Sequence, residues 1–239
     1  MPHCILLLVV LLTLLPTAAR ADSSILIWPI DPTLAHDQRA SALWLENHGD
    51  QPALLQVRIL AWSQRDGEEH YQAQREVIGS PPMLELQPGA RQLVRLTRLA
   101  PSAAGSESAY RILIDEVPTP RPADAPAEGN GVRFQMRYSV PLFLHGAGLP
   151  ATAPTLGWRP LQVDGRPYLE IHNPGPGHAR LTRVRLERGA SGQTLDDGLL
   201  GYVLAGSRMR WPLPHAVAAG SRLWADVNGQ RGEIAGMAP

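Results

Sequence analysis

Short runs of alternating apolar and polar residues recur along most of this chain. The clearest run lies at residues 131–144, where every second side chain is apolar up to residue 140. Its apolar members are Val132, Phe134, Met136, Tyr138 and Val140. A period of two places these side chains on one face of a β-strand, so the run predicts a long strand with one apolar and one polar face.

Ten further runs of this kind predict a chain built almost entirely of strands. Gly and Pro turn signals separate them, including Asp66-Gly67. Asp164-Gly165 lies between two alternating runs and is typical of a tight hairpin. No segment longer than about two turns shows the period of a helix. The predicted strands are 24–28, 40–46, 53–62, 92–97, 109–117, 157–163, 167–172, 178–187, 207–213 and 222–227.

The number and spacing of these strands favour an all-β fold of two immunoglobulin-like β-sandwich domains. The pattern is interrupted after His145 and starts again near Gly157, and each half has the length of one such domain. We expect the first domain to span residues 22–145 and the second to span 146–239. Two sandwiches joined by a few residues enclose a cleft between them.

The first 21 residues read as an export signal. An apolar core at residues 5–15 is followed by Pro16 and by the small-residue pattern Ala19-Arg20-Ala21. Eleven residues are too few to span a bilayer, so we expect export without membrane insertion. The single cysteine, Cys4, lies within this signal, which leaves no disulfide or thiolate chemistry for the exported chain.

Composition argues against binding to nucleic acid. Every one of the 22 basic residues is an arginine, and 22 acidic residues balance them to a formal net charge of zero. The arginines are scattered, whereas a nucleic-acid surface needs a clustered positive charge. A phosphate-binding loop is also missing, because no glycine-rich turn opens a helix.

The sequence likewise predicts neither an enzyme nor a metal or cofactor site. Its histidines form no His-x-His or His-Glu-x-x-His spacing, so we interpret them as scattered turn residues. No Gly-x-Ser-x-Gly element is present. The acidic pairs Glu68-Glu69 and Asp196-Asp197 are interpreted as solvated residues of turn-like segments.

Several segments, taken in order, resemble the periplasmic pilus chaperones of the chaperone-usher pathway. In the second half, Leu169-Glu170-Ile171-His172-Asn173-Pro174 resembles a characteristic strand ending of the family. Residues 132–144 resemble the seventh strand of its first domain. The other matching segments are Leu45-Glu46-Asn47, Ala61-Trp62-Ser63-Gln64, Ser80-Pro81-Pro82, Leu86-Gln87-Pro88-Gly89-Ala90, Leu93-Val94-Arg95-Leu96 and 107–118.

This resemblance implies a boomerang of two domains that binds pilus subunits lacking their last strand. The seventh strand would insert Val132, Phe134, Met136, Tyr138 and Val140 into the groove of a pilin, and an outer-membrane usher would then receive the subunit. Addition of a strand needs no cofactor, since main-chain hydrogen bonds and apolar side chains supply the affinity. The turn-rich loop at residues 119–130 is expected to be disordered until a subunit binds.

The sequence departs from the family where better-known members grip the carboxylate of the subunit. Those members carry an Arg on the first strand and a Lys near the end of the seventh. Here residues 25–32 contain no basic residue, and Pro141 stands in place of the Lys. The Trp28-Pro29 opening resembles the archaic branch, which serves Csu and spore-coat-U-like pili.

Two arginines are the candidates for a rebuilt anchor. If the loop is centred near residues 124–125, Arg111 lies opposite Tyr138, and a shift of one residue would pair it with Arg137 instead. Either guanidinium could donate a forked pair of hydrogen bonds to a carboxylate. Arg133 is a weaker candidate. The alternative is that these arginines pair with Asp115 or Glu116 or face solvent.

The sequence leaves open two alternatives to the chaperone hypothesis. Residues 132–140 could be an internal strand whose apolar face packs in its own core. The whole chain could also be a secreted two-domain adhesion or structural component of a surface assembly. Self-association of the unloaded chain through its exposed strand edge stays open.

Overall fold

The structure is a computed structural model, and it describes residues 25–118, 135–149, 154–189 and 191–237. All the regular elements within these ranges are β-strands. None of these residues forms a helix that is long and apolar enough to cross a membrane. The predicted all-β fold is therefore confirmed.

The first ten strands form a sandwich of two sheets. One sheet has the order β1-β3-β8-β6, and the other has the order β2-β10-β9-β4-β5 with β7 paired to β4. The strands are β1 (Ile25–Trp28), β2 (Thr33–Leu34), β3 (Ala40–Asn47), β4 (Ala53–Arg65), β5 (Glu68–Gln72), β6 (Val77–Ser80), β7 (Met83–Leu86), β8 (Arg91–Arg98), β9 (Glu107–Glu116) and β10 (Arg137–His145).

Alternation along these strands builds the core of the first sandwich. Tyr110, Ile112 and Ile114 of β9 all point inward and are at most 5% exposed, while the residues between them lie nearer the surface. Leu142 and Leu144 of β10 join the same core. Burial of each such side chain contributes roughly 1.5 to 3 kcal/mol, so the core fixes which face of every strand is inside.

The chain crosses between the two sheets near its first strand. β1 pairs antiparallel with β3 in one sheet, whereas β2, only a few residues later, pairs in parallel with the end of β10 in the other. Proline residues Pro29 and Pro32 stand between the two strands, where no ladder hydrogen bond is required of them. The crossing brings β2 beside β10.

The remaining seven strands form the second sandwich. Their sheet has the order β14-β13-β16-β17-β11-β12-β15, and its two outermost strands approach each other, since the Trp211 indole donates a hydrogen bond to the Leu200 carbonyl (3.1 Å). The strands are β11 (Gly157–Val163), β12 (Arg166–Asn173), β13 (Ala179–Arg188), β14 (Ser191–Val203), β15 (Ser207–Pro212), β16 (Arg222–Val227) and β17 (Gln230–Gly236).

The predicted hairpin at Asp164-Gly165 is confirmed, and the turn predicted at Asp66-Gly67 also joins the two strands of a hairpin. Asp164 and Gly165 have φ values of 50° and 75° and join β11 to β12, while Asp66 and Gly67 have φ values of 55° and 83° and join β4 to β5. Positive φ at both central positions matches the right-handed twist of the flanking strands.

The prediction that the two acidic pairs lie in turn-like segments is wrong. Glu68 and Glu69 open strand β5, and Asp196 and Asp197 lie in strand β14 rather than in turns. Sequence analysis did not predict β14, because its exposed Gly and Asp residues obscure the alternation of apolar and polar side chains. Its pairing with β13 also shifts register at Leu181, Thr182 and Val184, as β-bulges do.

A buried Asn at the end of a strand recurs in both sandwiches although their sequences show no repeat. Asn47 ends β3 and Asn173 ends β12, and both side chains are 0% exposed. Each amide accepts a hydrogen bond within the turn that follows and donates one to a neighbouring strand. The two halves are therefore similar in architecture rather than in residue pattern.

Candidate functional site

Among the residues that the structure describes, one edge of strand β10 is largely unpaired. It pairs with β9 along its whole length, from Arg137 to His145, but with β2 only at Phe143 and Leu144. Between Arg137 and Leu142, no strand in the described part of the chain covers the other edge. Such an edge offers a row of main-chain donors and acceptors to another strand.

Hydrogen-bond directions show which residues of β10 face this edge. Met136 accepts a bond from Glu116 of the β9 side (3.1 Å), whereas Phe143 donates away from β9 to Pro32 (3.2 Å). Because directions alternate along an antiparallel strand, the odd-numbered residues Arg137, Ser139 and Pro141 face the open edge. Pro141 has no N–H, and because it faces away from β9, the pairing with β9 loses no hydrogen bond there. The main-chain donors at the open edge are therefore those of Ser139 and Arg137.

The predicted row of apolar side chains divides into two parts. Met136 is 44% exposed, Tyr138 is half-buried, and Val140 is 7% exposed within the core of the first sandwich. Val132 and Phe134 lie outside the described residues. Val140 fits the alternative interpretation, in which the strand is internal and its apolar face packs in its own core. It could not enter another protein without losing its present core contacts.

Tyr138 marks the transition between these two parts. Its ring packs partly against the core, and its hydroxyl accepts a hydrogen bond from the Ile25 amide at the start of β1 (3.3 Å). Burial raises the pKa of Tyr138, so the hydroxyl stays protonated. The exposed part of the row therefore begins on the loop side of Tyr138, at Met136.

The predicted register between β9 and β10 was wrong by three residues. Arg111 lies opposite Pro141 rather than Tyr138, and Arg137 lies opposite Asp115. The assumed centre of the connecting loop was too close to β9, and loop residues carry no periodic signal that would place it. The two candidate arginines are thus four strand positions apart, or about 13 Å.

Arg137 pairs with a carboxylate of its own domain. Its guanidinium contacts Asp115, and Arg58 donates to the other oxygen of the same carboxylate at 2.7 Å. Although burial acts to raise it, the hydrogen bonds from Arg137 and Arg58 hold the pKa of Asp115 below its ordinary value. This is the cross-strand pairing that sequence analysis gave as the alternative to an anchor.

Arg111 has a different environment, at the end of β9 nearest the second sandwich. Its side chain is 11% exposed, and its guanidinium carbon lies 3.7 Å from the centre of the Trp62 ring and 5.2 Å from that of Tyr202. Its Nε is buried and has no hydrogen-bond partner among the described residues. Arg111 is thus a stacked, nearly buried cation with unused donor capacity.

One acidic side chain approaches Arg111. Glu69 on β5 lies 3.6 Å from the Arg111 guanidinium, which is an ion-pair distance but too long for a hydrogen bond. The Tyr71 hydroxyl bonds to the same carboxylate. Burial, followed by this bond to Glu69, raises the pKa of Tyr71 to about 12. The carboxylate is therefore shared between a phenol and a loosely held arginine.

An aromatic cluster joins the two sandwiches around Arg111. Trp62 and Phe143 come from the first sandwich, Tyr202 and Leu204 come from the second, and all four are at most 5% exposed. The His178 ring stacks on Phe143 with centroids 3.5 Å apart. We call these residues, Trp62, Phe143, His178, Tyr202 and Leu204, the junction cluster.

Polar contacts hold the junction cluster in register. The Gln64 amide, 7% exposed, donates to the Tyr202 carbonyl (2.9 Å) and accepts from the Leu204 amide (2.8 Å), which imitates a pair of β-ladder bonds. The Glu107 carboxylate accepts from the His178 amide at 2.9 Å and contacts its Nδ1 at the same distance. These bonds fix Tyr202 relative to Trp62 and Arg111.

A third polar contact between the two sandwiches lies at the tip of the β4–β5 hairpin. The Arg210 side chain crosses Gly67 so closely that a Cβ there would lie 2.5 Å from its Cγ. Arg210 also donates to the buried carboxylate of Glu170 at 2.8 Å and to the Asp66 carbonyl at 3.1 Å. Hydrogen bonds from Arg210 and Arg159 hold the pKa of Glu170 low, although burial acts to raise it.

Sequence analysis did not identify Tyr202, Glu69 or Gln64 as part of this site. Gln64 carried a weak signal, since it ends the Ala61-Trp62-Ser63-Gln64 segment. Tyr202 carried none, because it lies in the unrecognised strand β14. Across the four described ranges, no three His, Cys, Asp or Glu side chains are grouped so as to hold a metal ion.

Comparison with known families adds a match over the first sandwich. Residues 32–150 match the family described as pili and flagellar-assembly chaperone, PapD N-terminal domain. Among curated proteins, none matches the sequence significantly.

Comparison with solved structures extends the likeness over both sandwiches. A chain from the CsuC-CsuE chaperone-tip adhesion subunit pre-assembly complex of the archaic chaperone-usher Csu pili of Acinetobacter baumannii is 30% identical; the match covers 90% of this chain and 100% of that chain, with a TM-score of 0.74. The Pseudomonas aeruginosa CupB2 chaperone is 18% identical over 87% of this chain and 96% of its own, with a TM-score of 0.60. A structure of the Salmonella enterica SafA pilin with the SafB chaperone matches at 16% identity over 90% of this chain and 95% of that chain, with a TM-score of 0.60.

Proposed function

This chain belongs to the pilus-assembly chaperones of the chaperone-usher pathway, and from that premise we propose that it binds pilus subunits by lending them a strand. The open edge of β10 carries the proposal. Ser139 and Arg137 offer main-chain donors there, and an exposed apolar side chain, Met136, lies beside them. Addition of a strand to a sheet edge uses this combination of backbone bonds and alternate side chains.

The lent segment is the part of the row on the loop side of Tyr138. It comprises Val132, Phe134 and Met136, whereas Val140 stays in the core of the chaperone. The buried part of β10 then holds the strand in place while its exposed part completes the subunit. A one-residue slip would turn the apolar side chains away from the groove of the subunit, so rigid pairing with β9 sets the register.

Arg111 is the anchor for the carboxylate of the subunit. It is stacked at the junction of the two sandwiches, and its buried Nε has no partner in the described part of the chain. Arg137, the other candidate, pairs with Asp115 instead. Arg111 thus serves the purpose of the Arg and Lys of better-known family members, although it lies on a different strand from either.

Membership of the family supports a periplasmic setting for this function. Residues 1–21 act as the export signal, the chain works in the periplasm without catalysing a reaction, and an outer-membrane usher receives the loaded subunit. The first domain comprises residues 22–145 and the second 146–239, in agreement with separate cores made of residues 25–144 and 158–234.

Co-expression with the pilus subunits of the same genome tests this function. Met136→Asp should reduce the yield of soluble chaperone-bound subunit by about tenfold or more, because burial of one Met side chain contributes roughly 1.5 to 3 kcal/mol. Phe134→Asp should act in the same direction. The measured quantity is the amount of subunit that co-purifies with tagged chaperone.

Met83→Asp is the matched control. Met83 lies on β7 of the same sandwich and is 46% exposed, close to the 44% of Met136, but it lies away from β10. It should leave the yield of bound subunit unchanged. Equal yields from Met136→Asp and the wild type would sink the proposal.

A further inference from the structure

Strands β14 and β15 follow each other along the chain, but within the described residues they do not pair with each other. A turn at residues 204–206 joins them, while β14 pairs with β13 and β15 pairs with β12. The two strands meet near the turn, where the Trp211 indole donates a hydrogen bond to the Leu200 carbonyl (3.1 Å). Farther from the turn, a cavity separates them.

This cavity has a volume of about 100 Å³. Residues 193–195 form one wall and residues 211–214 form the other. Most of the lining side chains are Leu, Pro or Trp, and Gln193 and Thr194 add polar groups. Apolar walls with a few polar groups are typical of binding sites in proteins. The size and lining suit one apolar side chain together with the main chain that carries it.

Both strands also have open edges beside the cavity. In the described part of the chain, β14 and β15 are the outermost strands of their sheet. The outer edge of β14 pairs with no described strand, and that of β15 contacts only Gly67, through Met209 and Arg210. Such an edge accepts an extended segment of another chain, because it offers main-chain donors and acceptors. Every second side chain of that segment would face the cavity.

A β-bulge places an acidic side chain on the cavity side of β14. The pairing with β13 shifts between Val184 and Arg185, and Leu195 is the extra residue. Asp196 lies opposite Val184, which is 0% exposed in the core, so Asp196 lies on the inner face of β14. One of its carboxylate oxygens accepts a hydrogen bond from the Gly198 amide (2.6 Å), and the other has no partner among the described residues.

We propose that the cleft between residues 193–195 and 211–214, here called the β14–β15 cleft, binds an extended segment of another protein. The segment places an aliphatic side chain in the cavity and a basic side chain on Asp196. The unused carboxylate oxygen favours Arg or Lys, because charge-assisted hydrogen bonds are stronger than neutral ones.

The β14–β15 cleft is separate from the junction cluster and from β10. Its wall at residues 193–195 lies at least seven residues before Tyr202 on the same strand, which is roughly 20 Å or more. This inference therefore goes beyond the proposed function. It leaves room for a second partner on a chaperone that is already loaded with a subunit.

A capped peptide tests strand addition at the β14–β15 cleft. The probe is acetyl-Thr-Arg-Thr-Leu-Thr-Arg-Thr-amide, which has no free carboxylate that could bind Arg111. Binding to the full chain is followed in NMR spectra through the indole N–H of Trp211 and the backbone amides of residues 193–199. Both sets of signals should shift in a saturable way.

Changes in the peptide separate the contributions to binding. Replacing Leu by Ala should weaken binding by about tenfold or more, because the cavity would stay largely unfilled. Replacing both Arg residues by Glu should weaken it by about fivefold or more, since Asp196 would then repel the peptide. N-methylation of the backbone amides removes the main-chain donors and should abolish binding.

One variant of the chain and its control locate the site. Asp196→Asn should weaken binding of the Arg peptide by about threefold, because it removes the charge and keeps the acceptor for the Gly198 amide. Asp37→Asn is the matched control and should bind as the wild type does. Asp37 is an exposed aspartate between β2 and β3 of the first sandwich.

Subunit capture keeps this inference distinct from the proposed function. Asp196→Asn should capture pilus subunits as the wild type does. If no signal of the β14–β15 cleft shifts, if the Leu and Ala peptides bind alike, or if the Arg and Glu peptides bind alike, the inference is wrong. Shifts confined to the amides of Arg137 and Ser139 would also overturn it. Loss of capture in Met136→Asp would still support strand donation in those cases.

Discussion

The two ends of β10 lie in opposite environments. At the end near the second sandwich, Leu142, Phe143 and Leu144 are 0% exposed and contact both the core and the junction cluster. At the loop end, Met136 is 44% exposed and the side chain of Arg137 is 64% exposed. One strand therefore combines a segment that is fixed in its own domain with a segment that is available to another chain.

This difference explains how a strand can be lent without unfolding its owner. The buried end supplies the stability of the strand, and β9 supplies its register along the whole length. The exposed end contributes little to the fold of the chaperone, so its side chains are free to serve a partner. Stability and binding are thus assigned to different residues of the same strand.

Truncation of one side chain at each end should give the largest contrast. Leu142→Ala should lower the free energy of unfolding of the first sandwich by about 2 to 5 kcal/mol, because it leaves a cavity in a packed core. Met136→Ala should change it by no more than about 0.5 kcal/mol, as exposed positions do. Urea denaturation followed by tryptophan fluorescence measures both changes.

Capture of subunit by the same two variants completes that contrast. Met136→Ala should reduce capture while its unfolding curve stays that of the wild type. Similar losses of stability from Leu142→Ala and Met136→Ala would show that the two ends of β10 do not differ as described.

A smaller, pH-dependent effect should come from the ion pairs at the loop end. Arg137 and Arg58 lower the pKa of Asp115 in the folded state, so their stabilising contribution is present above the unfolded pKa, near 3.9, and is lost as the pH falls through the lower folded value. Arg137→Gln should therefore cost about 0.2 to 1 kcal/mol at pH 7, the size of an exposed pair.

The pH series distinguishes this charge effect from a packing effect. The difference between wild type and Arg137→Gln should stay constant from pH 7 to about pH 5 and shrink below about pH 4. Thermal unfolding at each pH gives the comparison. A difference that persists unchanged into acid would mean that Arg137 acts through packing rather than through Asp115.

The sequence was sufficient to predict the strands whose alternation reflects a buried face. Strands β11 and β16 have the predicted bounds, and the hairpin at Asp164-Gly165 and the turn at Asp66-Gly67 follow from their Asp-Gly pairs. β14 was missed because its exposed residues carry no such alternation. The register of β10 on β9 could not be read either, since it depends on how the intervening loop closes.

The junction could not be predicted because its residues come from distant parts of the chain. Arg111 was chosen from the predicted hairpin register and the forked donors of its guanidinium, but its stacking between Trp62 and Tyr202 exists only when both sandwiches are in place. Val140 looked like a member of the exposed row since alternation alone does not say where a strand passes from solvent into a core. Its burial becomes visible only with the opposing sheet.

Amide hydrogen exchange on the complex tests the central claim of strand lending most directly. The amides of Arg137 and Ser139 face the open edge, whereas those of Val140 and Leu142 face β9. In the free chaperone, Arg137 and Ser139 should exchange quickly while Val140 and Leu142 are protected. On binding a pilus subunit, Arg137 and Ser139 should become protected as well, whereas continued fast exchange of both in a stable complex would contradict addition of a strand at this edge.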